Sequence, residues 1–79
     1  MKLNLLFFGI LTDATGVTTF FLDAPVFDTV ATLDTFVQNK YPRLKNHSYK
    51  IAVNQKIIPL SHLLRDGDEV AFLPPFAGG

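Results

Sequence analysis

Gly78 and Gly79 close the sequence after an apolar run and Pro74-Pro75-Phe76-Ala77, so the group best placed to do chemistry is a backbone carboxylate on a narrow stalk. Glycine has no side chain, and two in succession let extended backbone enter a channel too tight for any Cβ. Pro74 and Pro75 fix φ and lack N–H groups. The pair therefore cannot prolong a sheet ladder and should carry the tail off the domain in polyproline geometry. At about 3.3 Å per residue, residues 76–79 would project about 13 Å. Gly79 is the expected reactive residue, and Phe76, Ala77 and Gly78 are the expected threading residues.

No other constellation offers comparable chemistry. The chain has no cysteine, which removes disulfides, thiolate nucleophiles and zinc-thiolate sites together. His47 and His62 have no nucleophile and carboxylate arranged around them, and neither Ser48 nor Ser61 lies in a strand-to-helix elbow. Asp66, Asp68 and Glu69 lack the spacing of a calcium loop and read as part of a β-turn. Gly9, Gly16 and Gly67 form no phosphate-binding spacing. No metal, no bound cofactor and no catalytic set of its own is expected.

The elements that must hold the tail follow from periodicity. Residues 2–10 alternate and then become continuously apolar, which predicts a first strand covered on both faces at its far end. Turn residues at 12–16 and a β-branched, aromatic run at 17–22 predict an antiparallel hairpin. Val30, Leu33, Phe36, Val37 and Tyr41 then mark one stripe of a helix. Thr29 or Asp28 is its N-cap, and Pro42 stops it near residue 39 or 40. Residues 49–53 and 56–58 read as short strands about Asn54-Gln55, residues 59–64 as one helical turn, and Arg65-Asp66-Gly67-Asp68 as a tight turn before a closing strand at 69–73. One helix covering one face of a mixed sheet predicts an α+β domain of the β-grasp type over residues 1–73, with residues 74–79 as its tail. In that arrangement the first and last strands lie parallel at the sheet centre.

Strand parity separates the two faces. Leu3, Leu5, Phe7, Val70 and Phe72 should meet the helix, while Lys2, Asn4 and Glu69 mark the other side. Leu6, Phe8 and Leu73 share that open side near the strand ends from which the tail leaves, and Ile57 joins them. These four are the expected partner-docking residues.

At 79 residues there is room for one small domain. Apolar residues make up 48% of it, eight of them Phe, which is rich enough that some apolar surface should face a partner. The longest apolar run, residues 5–11, falls far below the ~20 residues of a membrane span, and no cleavage signature follows it. A cytoplasmic location and no membrane partner are expected. Seven basic and seven acidic residues cancel. Lys40, Arg43, Lys45 and Lys50 do cluster with His47, but with a neutral total they read as a solvated loop, and no nucleic-acid partner is expected.

Ala52-Val53-Asn54-Gln55, followed by Asp66-Gly67-Asp68-Glu69-Val70-Ala71-Phe72-x-Pro74-Pro75-x-x-Gly78-Gly79, resembles the sulfur carrier, or small, subunits of molybdopterin synthase, members of the ubiquitin-like β-grasp superfamily. Leu6-Phe7-Phe8 and Thr29-Val30-x-x-Leu33 resemble them too, so the likeness covers nearly the whole chain. It departs at residues 11–15, where many relatives carry an Arg that this chain lacks. The resemblance implies that an E1-like enzyme adenylates Gly79 using ATP and magnesium, both belonging to that enzyme, and that sulfur from a persulfide donor replaces the adenylate. The thiocarboxylate then enters the large synthase subunit, in a heterotetramer, and gives sulfur to cyclic pyranopterin monophosphate. The carrier would be a cosubstrate, not a catalyst. A carrier for thiamine or tRNA thiolation, or a ubiquitin-like modifier, would share the tail chemistry, and a noncovalent binding module would not need it. The Ala-Val-Asn-Gln and Phe-x-Pro-Pro segments favour the molybdopterin branch.

Overall fold

The computed structural model describes residues 1–23 and 27–75. β1 (Lys2–Phe7) lies between β2 (Thr19–Asp23), antiparallel to it, and β5 (Glu69–Leu73), parallel to it. β3 (Lys50–Val53) pairs antiparallel with β5 on one side and with β4 (Lys56–Ile57) on the other, which gives the order β2-β1-β5-β3-β4. The expected α+β architecture holds, with β1 and β5 side by side and leaving the sheet at the same end.

Helix α2 (Val30–Lys40) covers one face. Thr29 caps it from an extended conformation, its hydroxyl accepting the Thr32 N–H. Val30, Leu33 and Val37 are buried against Leu3, Leu5, Phe7, Val70 and Phe72, so the strand parity read from the sequence is the observed one. Phe36 sits at the margin of that core, 37% exposed, with its ring against Phe27. Asn54 and Gln55 both take positive φ, 50° and 71°, as a two-residue hairpin with right-handed twist requires.

Three expectations fail locally. The first strand does not reach residue 10, and no simple turn follows it. Gly9 adopts φ 56°, and helix α1 (Ile10–Thr15) begins there, with the Thr12 N–H and hydroxyl both donating to the Gly9 carbonyl. A continuous apolar run does not distinguish strand from helix, and here the helix drives Leu11 fully into the core. Residues 59–64 form no helical turn. His62 N–H donates to the Pro59 carbonyl, while the Leu60 and His62 carbonyls accept from the Ala31 and Val30 N–H groups. The loop is shaped by the orphan donors at the start of α2. The basic stretch is a 3-10 helix, Pro42–Asn46, pinned by the fully buried Leu44 between Arg43 and Lys45.

Among the described residues, no helix is long and apolar enough to cross a membrane, and no cluster of three or more His, Asp or Glu residues is placed to hold a metal ion.

Candidate functional site

The end of the sheet from which β5 departs is built from three elements. β1 and β5 run in parallel to Phe7 and Phe72, which face each other across the ladder with rings stacked at 4.9 Å. Beyond them the chain turns at Gly9, where an added Cβ would stand 3.0 Å from the Pro74 Cγ. The turn into α1 is thereby packed against the root of the tail, and only a glycine gives that approach at positive φ. Phe76, Ala77, Gly78 and Gly79, the residues assigned to threading and reaction, lie outside the described residues.

Of the four expected docking residues, Leu6, Ile57 and Leu73 share the face away from α2 by strand register, and Phe8 lies just past the end of β1. Leu6 pairs with Ala71, Ala71 with Ala52, and Ala52 with Ile57, so one row crosses four strands with large side chains at its ends and two alanines between. Three strand spacings put Leu6 and Ile57 about 14 Å apart, flanking a trough instead of forming one continuous ridge. Leu73 lies one row nearer the tail, opposite Lys50. Phe8, one residue past β1, is 46% exposed, and Ile57 is 62% exposed. An apolar hollow of about 370 Å³ opens between Ile57 and the root of the tail, walled by Ser48, Tyr49, Lys50, Ile57, Leu73, Pro74 and Pro75.

The wall at Tyr49 is held from behind. Its hydroxyl donates to Asp34 Oδ1 at 2.6 Å and accepts from Gln38 Nε2 at 2.8 Å, joining the residue that leads into β3 to one side of α2. Burial, reinforced by the bond to Asp34, pushes the Tyr49 pKa well above its ordinary value, so the phenol stays protonated. Its ring leans on Phe72 at 5.6 Å.

The sequence reading missed Phe21. It is 79% exposed on β2 and pairs with Asn4, which places it on the open face one row below Leu6. The signal was available, because Phe20 and Leu22 pair with Leu5 and Leu3 on the core side, and parity alone sends Phe21 outward. The Asp66-Gly67-Asp68 motif is structural. The nearly buried Asp68 carboxylate accepts from Asn54 Nδ2 at 2.9 Å and from the Arg65 N–H at 2.8 Å, while Gly67 takes φ 86°.

The ThiS family matches residues 5–79. This chain belongs to it. Over its full length the ThiS-family chain is 44% identical to the molybdopterin synthase sulfur carrier subunit of Mycobacterium tuberculosis, covering 99% of that protein. In a solved complex of subunits 1 and 2 of the molybdopterin-converting factor from Helicobacter pylori, one chain superposes on it with a TM-score of 0.73 and 32% identity, each covered completely. Subunit 1 of a molybdopterin converting factor from Pyrococcus furiosus superposes with a TM-score of 0.87 over 96% of this chain and 99% of its own. At 22% identity, that likeness establishes the shared fold.

Proposed function

We propose that this chain is the sulfur carrier of molybdenum cofactor biosynthesis and the small subunit of molybdopterin synthase. The observation that carries this reading is the full-length 44% identity to the mycobacterial subunit. The departure of β5 beside an open apolar face supports it, since a carrier needs a surface to dock and a terminus to deliver.

In this reading the Gly79 carboxylate attacks the α-phosphorus of ATP on an E1-like enzyme that also supplies magnesium, releasing pyrophosphate and leaving an acyl adenylate. The terminal sulfur of a persulfide then attacks the acyl carbon and expels AMP. A thiol cleaves the resulting S–S bond, becoming half of a disulfide and leaving a thiocarboxylate on Gly79. The activation is needed because a carboxylate is a poor acyl electrophile, and a mixed anhydride with AMP has a good leaving group. Within the large subunit, the thiocarboxylate gives its sulfur to cyclic pyranopterin monophosphate, and water restores the carboxylate. The domain contributes no catalytic group. It docks through Leu6, Phe8, Ile57 and Leu73, while Phe76, Ala77 and Gly78 thread the partner's channel. Two small and two large subunits make the working synthase, in reducing cytoplasm.

The test is the intact mass of the chain after incubation with ATP, magnesium, the activating enzyme and a persulfide source. The wild type should gain the mass of one sulfur in exchange for one oxygen, and a chain lacking Gly79 should gain nothing while melting as the wild type does. Sulfur loading of the truncated chain would refute the assignment.

A further inference from the structure

The side-chain charges sum to zero, yet the fold sorts them along the axis of the tail. Lys50 pairs with Leu73, the last residue of β5. Lys40 ends α2, its ammonium 5.0 Å from the centre of the Phe20 ring and 5.6 Å from that of Tyr41, and Tyr41 in turn packs edge-on against Phe7. Arg43 and Lys45 stand exposed on the 3-10 helix, which packs on α1 beside the root of the tail. Asp13 on α1 is the one described acid at this end. At the opposite end, Lys2 and Arg65 are outnumbered by Asp23, Asp28, Asp66, Asp68 and Glu69. These are gathered by the Lys2–Asp23 pairing, the Leu64 N–H bond to the Asp28 carbonyl and the turn that starts β5. Between the ends lie Lys56 on β4 and Asp34, which is bonded to Tyr49 and Gln38. The tail end therefore carries three side-chain charges in positive excess and the far end three in negative excess.

A neutral protein with its charge so divided has little long-range pull on a partner, but a strong preference for how it arrives. We propose that the Lys40, Arg43, Lys45 and Lys50 collar is an electrostatic guide that meets an acidic rim around the tail-entry channel of the large synthase subunit. This proposal rests on the sulfur-carrier reading for the identity of the partner. Arg43 and Lys45 stand clear of the apolar row. Their charges govern encounter and leave the docked contact to the open face, as charges at the edge of an interface do.

The experiment compares two variants of equal net charge. Arg43→Glu and Arg65→Glu each change the charge by two, the first at the tail end and the second at the far end. Association with the large subunit is followed by stopped flow across ionic strength, and thermal melts establish that both variants are folded. Arg43→Glu should slow association about ten-fold at low salt, with the difference closing as the Debye length shrinks to about 3 Å in molar salt. Its dissociation rate should stay within about two-fold of wild type, as expected of a rim charge. Arg65→Glu should associate as the wild type does. Lys45→Glu repeats the tail-end test at a neighbouring exposed position. Equal slowing by Arg43→Glu and Arg65→Glu, or no slowing by Arg43→Glu and Lys45→Glu, would overturn the guide while leaving the carrier reading intact. If the wild type does not bind the large subunit at any salt, the carrier reading itself fails. Retention of the wild type but not Arg43→Glu on structured RNA, with unchanged association to the subunit, would assign the cations to a phosphate backbone and also overturn the proposal.

Discussion

Aspartate at Phe7 and aspartate at Phe8 are one residue apart and should do damage in opposite ways. Phe7 is 2% exposed, stacked on Phe72 and edge-on to Tyr41. Truncating such a residue costs about 3–5 kcal/mol, and an unpaired carboxylate in its place costs several more. A domain of this length holds only about 4–12 kcal/mol, so Phe7→Asp should not fold at 25 °C. Phe8 is already 46% exposed, and the change should cost the free domain under about 1 kcal/mol. Its remaining exposed surface, roughly 90 Å² of an aromatic side chain, is what docking would bury, and at about 25 cal/mol per Å² that is worth about 2 kcal/mol. Kd for the large subunit should therefore rise at least roughly thirty-fold, since aspartate adds desolvation to the lost apolar contact. Far-UV circular dichroism during melting and titration calorimetry against the large subunit separate the two effects. A folded Phe7→Asp that loses only binding, beside a Phe8→Asp that melts, would invert the two faces and remove the docking surface with them.

Three further substitutions probe the supports of the site. Asp68→Ala strands the Asn54 side-chain amide and the Arg65 N–H, and should cost about 1–3 kcal/mol, lowering Tm by about 4–8 °C for each kcal/mol lost; a Tm within a degree of wild type would show the turn is not held by that carboxylate. Gly9→Val forces a β-branched residue to φ 56° with its Cβ 3.0 Å from Pro74, so it should destabilise the domain by more than about 1 kcal/mol and slow sulfur loading at temperatures where it remains folded, measured by melt and by intact mass. Tyr49 has its pKa raised above the ordinary 10.0, so the neutral phenol favours the native state; its stabilisation is complete below pH 10 and is lost as pH rises beyond it. The difference in denaturation midpoint between wild type and Tyr49→Phe should accordingly be flat below pH 10 and shrink above it, and a difference that grows there would refute the sign.

Parity and periodicity made the sheet and its helix legible, because the buried residues of β1 alternate, those of α2 recur at helical spacing, and in β5 the large buried residues Val70 and Phe72 share one parity with only the small Ala71 between them. They failed where a few residues answer to distant partners. Nothing local in residues 8–11 says helix, since the run is apolar throughout. What makes it one is the need to place Leu11 in the core past the end of β1 while Gly9 passes under Pro74. Residues 59–64 look like a turn of helix because their composition permits one. Their carbonyls are instead drawn to the first N–H groups of α2, thirty residues earlier in the chain. Leu44 was concealed by its neighbours, one apolar residue inside a run of cations.

Part of the resemblance, Asn54-Gln55 and Asp66-Gly67-Asp68-Glu69, lies at the end of the sheet remote from the tail, which asks why those residues should accompany tail chemistry at all. The hydrogen bonds supply a reason. The Asn54 N–H donates to the Glu69 carbonyl at 2.8 Å, the Glu69 N–H donates to Asn54 Oδ1 at 3.0 Å, and Asp68 closes the pair by accepting from the Asn54 amide. Asn54 can occupy the left-handed conformation that this exchange requires, φ 50°, at lower cost than most residues. Together these contacts fix where β5 starts against β3, and hence its register against β1. A slip of one residue would send Val70 and Phe72 to the open face and turn Ala71 and Leu73 into the core. Pro74 would then meet the wrong atoms of the turn at Gly9, and the tail would leave from the side covered by α2. The Asn54–Asp68 clasp acts on delivery without touching the delivered group, because in a five-residue strand with one buried face the register set at Glu69 is still in force at Leu73.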